Sequence, residues 1–314
     1  MNISKRQIIT GVAILTLVVV ISACKKNRLN KETICSEDNS IAENMFADIF
    51  NVTYKFDDTE TKTYLNNTAS YWPNDTIYVH NWHSCLTIIK QFIDSATFER
   101  IITLDFGTSG CDLGDGRIRT GKVIAHKIGR YGITGSTAII TADHYTVDDY
   151  GLKGTKTLTN LGKNSVNQQY YSDIISGGEI STPDSETITW KSTYTKTWVE
   201  GASTWFFGTL SEDGLIDSLY LLGTDGIYDD VWEITGSGDG INRDGRAFEV
   251  DIIAPLKLQW CESYVEVTEG VAEIQPEDLK LRNVDFGEGN CDNEATATIG
   301  KNRYKFEIRN NIKK

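Results

Sequence analysis

The sequence predicts an all-β fold, an antiparallel meander with one helix near its N-terminus. Three observations lead to this prediction: the chain after Thr53 largely alternates between apolar and polar residues, glycine-containing turns separate the alternating segments, and one motif occurs twice. Strands that are joined by short turns run antiparallel and lie side by side. The strands are expected to form either two packed layers, a sandwich, or one strongly curled sheet.

The start of the chain is typical of a secretory signal peptide. Lys5 and Arg6 form a basic start, residues 8–21 are almost continuously apolar, and residues 21–24 read Ile-Ser-Ala-Cys, the pattern of a bacterial lipobox. The apolar run is shorter than the ~20 residues that a spanning helix needs. We therefore expect cleavage of residues 1–23, acylation of Cys24 with palmitate-like chains, and a lipid-anchored envelope protein. The outer membrane is the default location, and the leaflet stays open.

Residues 24–36 are predicted to form a tether, in which the segment 25–31 is basic. The remaining residues, 37–314, are expected to form a single β-rich domain because no Pro- or Ser-rich linker interrupts them. The whole chain carries 31 Lys and Arg against 44 Asp and Glu, a formal net charge of −13. Such an acidic protein repels nucleic acid, so we expect no nucleic-acid partner.

Residues 37–51 are predicted to be the helix. Ser40 and Glu43 have the spacing of a capping box. The apolar residues that share one helical face are Ile41, Ala42, Met45, Phe46, Ile49 and Phe50. This face is expected to pack on the sheet.

The repeated motif reads Asp-Phe-Gly, three small or polar residues, then Cys-Asp, and it occupies residues 105–112 and 285–292. A Gly-Lys pair and an arginine follow both copies at nearly equal offsets, and a further cysteine precedes each copy. We interpret the copies as two strand-turn-strand modules, about residues 85–130 and 261–309. Glycine supplies the positive φ that such turns need.

The two copies predict the same side-chain placement. Phe106 and Phe286 are expected to be buried, whereas Asp105 and Asp285 are expected to face solvent or to accept hydrogen bonds from the turn. Asp-Phe-Gly also holds magnesium in protein kinases, but the glycine loop, strand lysine and His-Arg-Asp loop of kinases are absent here. The motif is therefore interpreted as structural.

The cysteine count fits an exported protein. With the lipidated cysteine set aside, the repeat favours the pairs Cys85–Cys111 and Cys261–Cys291, although four cysteines allow three connectivities. Cys35 is left over; we interpret it as a buried free thiol, with an intermolecular bridge as the alternative. No Cys-x-x-Cys spacing indicates a metal site.

The clearest predicted strand covers residues 186–198. Its apolar residues share one parity and its threonines the other, which places Trp190 and Tyr194 in the core. Further strands are predicted at residues 122–128, 137–147, 151–160, 167–180, 215–222, 228–235, 247–260 and 264–274.

No catalytic motif is present. The nucleophile elbow, the zinc-protease helix and the Walker loop are all missing from the sequence. His126 and His144 could face each other in neighbouring strands but lack a patterned carboxylate, so we treat them as ordinary strand residues. Residues 240–251 match part of a calcium loop, yet Gly240 takes the place of the first ligand, and a hairpin turn is favoured. No metal or cofactor is predicted.

Aromatic residues give the best sequence argument for binding. Trp198, Trp205, Phe206 and Phe207 bracket a turn-like break. If exposed, their rings would stack on sugars or on a protein partner. Core packing is the alternative.

The lipobox, the repeated motif and the run Ile-Thr-Gly at 234–236, followed by Asn-Arg-Asp-Gly at 242–245, resemble those of uncharacterised Bacteroidetes-type β-rich envelope lipoproteins. The resemblance implies a membrane-anchored β domain and no established activity. We expect a non-enzymatic binding or scaffolding role, with a glycan or an envelope protein as partner. The alternative is an envelope glycan hydrolase that uses a carboxylate pair.

Overall fold

The computed structural model describes residues 33–67, 76–80, 85–94, 96–202, 228–262 and 264–308. One helix, α1, spans Ile34–Asn67. The strands are β1 Thr76–His80, β2 Thr87–Asp94, β3 Glu99–Asp105, β4 Cys111–Asp112, β5 Ile118–Ile128, β6 Thr137–Val147, β7 Tyr150–Lys163, β8 Gln169–Ser181, β9 Thr187–Glu200, β10 Val231–Ile241, β11 Ala247–Cys261, β12 Tyr264–Pro276, β13 Arg282–Glu288, β14 Glu294–Ile299 and β15 Asn302–Glu307.

These strands form one antiparallel sheet that follows the chain order from β1 at one edge to β15 at the other. The two-residue strand β4 lies off this path and pairs with β5. Each strand therefore pairs with its neighbours in sequence, as short turns require. The predicted all-β meander with one N-terminal helix is confirmed, and the strands belong to a single sheet.

The sheet curls around α1. Asp38 of the helix pairs with Arg243 in the β10–β11 turn, whereas Asp48 pairs with Arg119 in β5, on the other side of the sheet path. All helix side chains from residue 33 to residue 54 are buried or half-buried. The helix is therefore the centre of the core, and the inner face of the sheet is its wall.

The bounds of α1 differ from the predicted 37–51. The helix starts at Ile34 because Thr33 caps it: the N–H of Glu37 donates to the Thr33 carbonyl oxygen at 2.9 Å, and the Thr33 hydroxyl donates to the Glu37 carboxylate. Ser40, the predicted cap, lies inside the helix and is buried. Polar residues on the buried faces interrupt the apolar periodicity, so the pattern showed only part of the N-terminal half of the helix.

Strand β9 alternates as predicted, with Ile188, Trp190, Tyr194 and Trp198 all buried. The Trp190 indole fits beside β10 because that strand carries glycine: a Cβ on Gly238 would lie 2.6 Å from the ring. Strand β10 extends to Ile241, beyond the predicted segment 228–235. The glycines that resemble a strand break in the sequence are thus the residues that make room for a core tryptophan.

The two copies of the repeated motif share one local geometry. Each ends a strand that is third from a sheet edge, β3 in the first copy and β13 in the second. In each copy the glycine N–H donates at 3.0 Å to the aspartate two residues earlier, Asp105 or Asp285. Phe106 and Phe286 are both buried. The predicted turn and side-chain placement are confirmed.

Beyond this turn the copies diverge. Asp105 lies opposite Lys122 in β5, whereas Asp285 lies opposite Thr296 in β14. The second Gly-Lys pair, at 300–301, forms the β14–β15 turn and does not lie in a paired strand. The predicted equivalence of the two Gly-Lys pairs is therefore wrong, because the connection after the turn is longer in the first copy.

Both predicted disulfides are present, Cys85–Cys111 with a Cα–Cα distance of 5.4 Å and Cys261–Cys291 with 5.7 Å. In each copy the disulfide joins the start of a two-strand hairpin to the residues after the repeated turn. Cys35 is a buried free thiol, as predicted.

Residues 242–246 form the β10–β11 turn, where the Asn242 side chain accepts a hydrogen bond from the Arg246 N–H at 2.8 Å. The hairpin predicted in place of a calcium loop is confirmed. The signal peptide, Cys24, and the predicted strand at 215–222 lie outside the described residues. In the described part of the chain, none of the helical structure is both long enough and apolar enough to cross a membrane.

Candidate functional site

A buried ion cluster joins α1 to the start of β5. The Asp48 carboxylate lies 2.6 Å from Arg119 Nη2 and 3.0 Å from Arg117 Nη1, and Arg119 also contacts Asp115 at 2.7 Å. Tyr145 donates a hydrogen bond to Asp48 from β6. Burial acts to raise the pKa of Asp48, but the two guanidinium groups outweigh it and hold the pKa well below its ordinary value. Asp48 is therefore a permanent buried anion.

A second polar cluster lies beside the middle of α1. Tyr194 donates a hydrogen bond to Glu43, and Lys156 Nζ lies 2.7 Å from Asp173 Oδ2. Burial raises the pKa of Glu43 to about 7, against the lowering effects of the Tyr194 hydrogen bond and of Lys156. This carboxyl changes charge near neutral pH.

Lys196 reaches the same interior from β9. Its Nζ lies 3.9 Å from the ring centroid of Phe50 and 4.3 Å from that of Trp232. Burial lowers the pKa of Lys196 to about 7, although Asp173 acts in the opposite direction. Aromatic faces stabilise the cation only in part, so the amine is poised between its two protonation states.

Trp198 belongs to this interior. Its ring is 1% exposed and stacks on Trp232 with centroids 4.8 Å apart. Its Nε1–H donates to Asp230 at 3.0 Å, and Tyr54 donates to the same carboxylate at 3.1 Å. Burial raises the pKa of Asp230 to about 7.

Trp198 is therefore not accessible as a binding aromatic, and the core-packing alternative is confirmed for this residue. The strand continues the apolar parity of β9 up to this residue, which keeps the ring on the inner face. The other predicted binding aromatics, Trp205, Phe206 and Phe207, lie outside the described residues.

The free space inside the fold is small. A cavity of about 40 Å³ is bordered by Glu43, Tyr194, Lys196 and, from the second repeat copy, Phe286. This space accepts water molecules, whereas small-molecule sites measure roughly 300–1,000 Å³. Glu43, Tyr194 and Lys196, whose pKa values are shifted, thus surround a space that is large enough only for water.

The sequence analysis missed these interior charges, although a signal for them exists. Lys196 has the same parity in β9 as Trp190 and Tyr194, and both Lys156 and Asp173 share the parity of the buried residues in their own strands. A charged residue at an inward position that neighbours other such residues indicates a buried cluster.

An open groove of about 1080 Å³ crosses β8 to β12 near the β10–β11 turn. Its floor includes Gly178, Gly240 and the backbone over the buried Trp190. Exposed side chains of opposite parity, Lys191 and Glu249, form its walls, so the groove opens on the outer face of the sheet.

The groove is acidic. The lining includes one lysine, Lys191, and five carboxylates, Glu179, Asp239, Glu249, Glu277 and Asp278. Asp239 pairs with Lys191 at 3.3 Å, and Glu179 pairs with a lysine outside the groove at 2.6 Å. The other three carboxylates make no ion pair with any described residue, which leaves the groove with a net negative charge.

Comparison of the chain with family models, with curated proteins and with solved structures finds no match. Among the described residues, no group of three or more His, Cys, Asp or Glu side chains is placed to hold a metal ion. The candidate sites are therefore the interior charge clusters and the acidic groove, judged on their own geometry.

Proposed function

We propose that the chain is a lipid-anchored cell-envelope protein that binds or scaffolds an envelope component through the outer face of its curled sheet, without catalysing a reaction. The lipobox at residues 21–24 supports the anchor. A glycan or an envelope protein is the proposed partner class.

The observation that carries this proposal is the distribution of free space. Glu43, Tyr194 and Lys196, whose pKa values are shifted by burial, border a cavity of about 40 Å³, whereas the open groove offers about 1080 Å³. A sugar ring does not fit the first space, and a chain of several units fits the second. The polar interior serves to fix α1 within the sheet, and the groove supplies the accessible surface.

A glycan hydrolase is the second candidate, and one observation favours it. The pKa of Glu43 is raised to about 7, as a general acid requires, and Asp173 is close enough to raise it further. The pair would need a path for substrate to the cavity.

Calorimetric titration with soluble peptidoglycan fragments and with a neutral polysaccharide tests the proposal. Ile241→Glu places a charge in the groove, where Ile241 is 44% exposed, and Ile253→Glu is the matched control on β11, at 53% exposure outside the groove lining. We expect the first variant to weaken binding about tenfold, the second to leave it unchanged, and the probes to be recovered intact.

Shortened glycan products that disappear in Glu43→Gln would replace this proposal with the hydrolase. Ligand binding that is unchanged in Ile241→Glu would show that the groove is not the binding surface.

A further inference from the structure

The groove lies where the described chain begins. Cys35, in the first turn of α1, accepts a hydrogen bond from Asn242 at 3.2 Å, and Asp38 pairs with Arg243. Asn242 directly follows Ile241, which lines the groove. The first turn of α1 therefore lies at the β10–β11 turn, beside one end of the groove.

The segment that precedes α1 has the charge opposite to that of the groove. Residues 25–31 read Lys-Lys-Asn-Arg-Leu-Asn-Lys, with four cations and no acid. The groove offers Glu249, Glu277 and Asp278 without an ion pair to any described residue. Nearby cations are already engaged: Lys191 with Asp239, Arg243 with Asp38, and Arg246 with the backbone carbonyl oxygen of Glu277 at 2.9 Å.

The lengths also agree. A groove that crosses five strands is about 19 Å wide, since neighbouring strands lie roughly 4.8 Å apart. The seven residues of the segment span up to about 25 Å when extended. One passage of this segment can therefore reach every carboxylate of the groove.

We propose that the basic segment 25–31 docks across the acidic groove of its own chain. Exposed ion pairs are individually weak, but a short connection to α1 gives the segment an effective concentration in the mM range, which populates even a weak contact. Any ligand of the groove must then displace the segment. This consequence rests on the proposed function, whereas the contact itself can be tested with no ligand present.

Carbodiimide cross-linking of the full chain in neutral detergent tests the contact, because the reagent joins an amine to a carboxylate only where the two touch. Mass spectrometry is expected to find Lys25, Lys26 or Lys31 joined to Glu249, Glu277 or Asp278. The yield should fall severalfold in about 0.5 M salt, where the screening length is roughly 4 Å.

The variant Glu249→Gln/Glu277→Gln/Asp278→Asn should abolish these cross-links. The matched control, Glu200→Gln/Glu288→Gln/Glu307→Gln, changes three exposed acids at the other end of the strands and should leave them intact. Cross-links spread over both sets of acids, or none from the segment, would overturn the proposal. So would cross-links between isotope-labelled and unlabelled chains, since they would identify a second copy as the occupant.

Discussion

The two disulfide-closed hairpins carry the same motif and face different interiors. In the first copy Phe106 packs against Tyr145, whose hydroxyl donates to the permanently charged Asp48. In the second copy Phe286 borders the cavity that contains Glu43, whose pKa is raised to about 7. The motif therefore fixes the turn, whereas the residues around it decide whether the nearby carboxyl has a lowered pKa, as Asp48 has, or a raised one, as Glu43 has.

The first copy is also tied to the helix by residues that the second lacks. Arg117 in the longer connection after its turn and Arg119 at the start of β5 both contact Asp48, and Asp115 in the same connection contacts Arg119. In the second copy Cys291 and Asp292 are exposed, and β14 follows at once. The segment that follows the first turn, rather than the repeated turn itself, therefore anchors α1 at this place.

The largest expected effect comes from removing that anchor. Asp48→Ala leaves the guanidinium of Arg119, 2% exposed, without its main partner, and should cost about 3–5 kcal/mol of unfolding free energy in urea denaturation. Glu294→Ala breaks the exposed pair with Lys305 and should cost less than about 1 kcal/mol. Similar costs for the two variants would show that the buried cluster is not an anchor.

Removing the disulfides compares the hairpins directly. The loops that they close span 26 and 30 residues, so the chain-entropy estimate is about 3–4 kcal/mol for each. Cys85→Ala/Cys111→Ala should cost more than Cys261→Ala/Cys291→Ala, because Cys111 is buried and Cys291 is exposed. A larger loss of unfolding free energy in Cys261→Ala/Cys291→Ala would contradict the expectation that the first disulfide stabilises the fold more.

pH should separate the two interiors. The raised pKa of Glu43 favours the protonated folded state, so this group destabilises the fold as pH rises from about 4.5 towards 7. We expect Glu43→Gln to gain about 2 kcal/mol relative to the wild type between pH 5 and pH 8, after allowance for partial exposure of Glu43. Denaturation curves of Glu249→Gln, an exposed control, should show no such trend. If the difference in unfolding free energy between Glu43→Gln and the wild type did not change with pH, Glu43 would not titrate between pH 5 and pH 8.

The smallest expected effect concerns the shared turn. Asp105→Ala and Asp285→Ala each lose the hydrogen bond from the glycine N–H, at a cost of about 1 kcal/mol. Asp105 also pairs with Lys122 at 3.0 Å, so its substitution should cost a few tenths of a kcal/mol more. Equal melting temperatures for the wild type and both variants would contradict the role of the turn.

Local patterns in the sequence predicted much of this fold. The alternation in β9 placed Trp190 in the core, and the repeat gave both disulfides. Patterns failed where the environment is set by distant residues. Lys196 and Asp173 are charged residues on the inward parities of the neighbouring strands β8 and β9, and the helix α1 that covers them lies far away in the sequence. The extent of β10 was missed because Gly238 matters only through its contact with Trp190.

The position of α1 has a consequence for how the chain is made. The helix emerges from the ribosome first, yet its residue Asp38 pairs with Arg243, and Asn44 donates to the carbonyl oxygen of Ile308. Neighbouring strands can pair as they appear, because each hairpin is local in sequence. The helix has to wait for almost the whole chain, and its apolar side chains stay uncovered until then. A chain of this design keeps an apolar helix uncovered until its strands are complete, with enclosure of that helix as the last step of assembly.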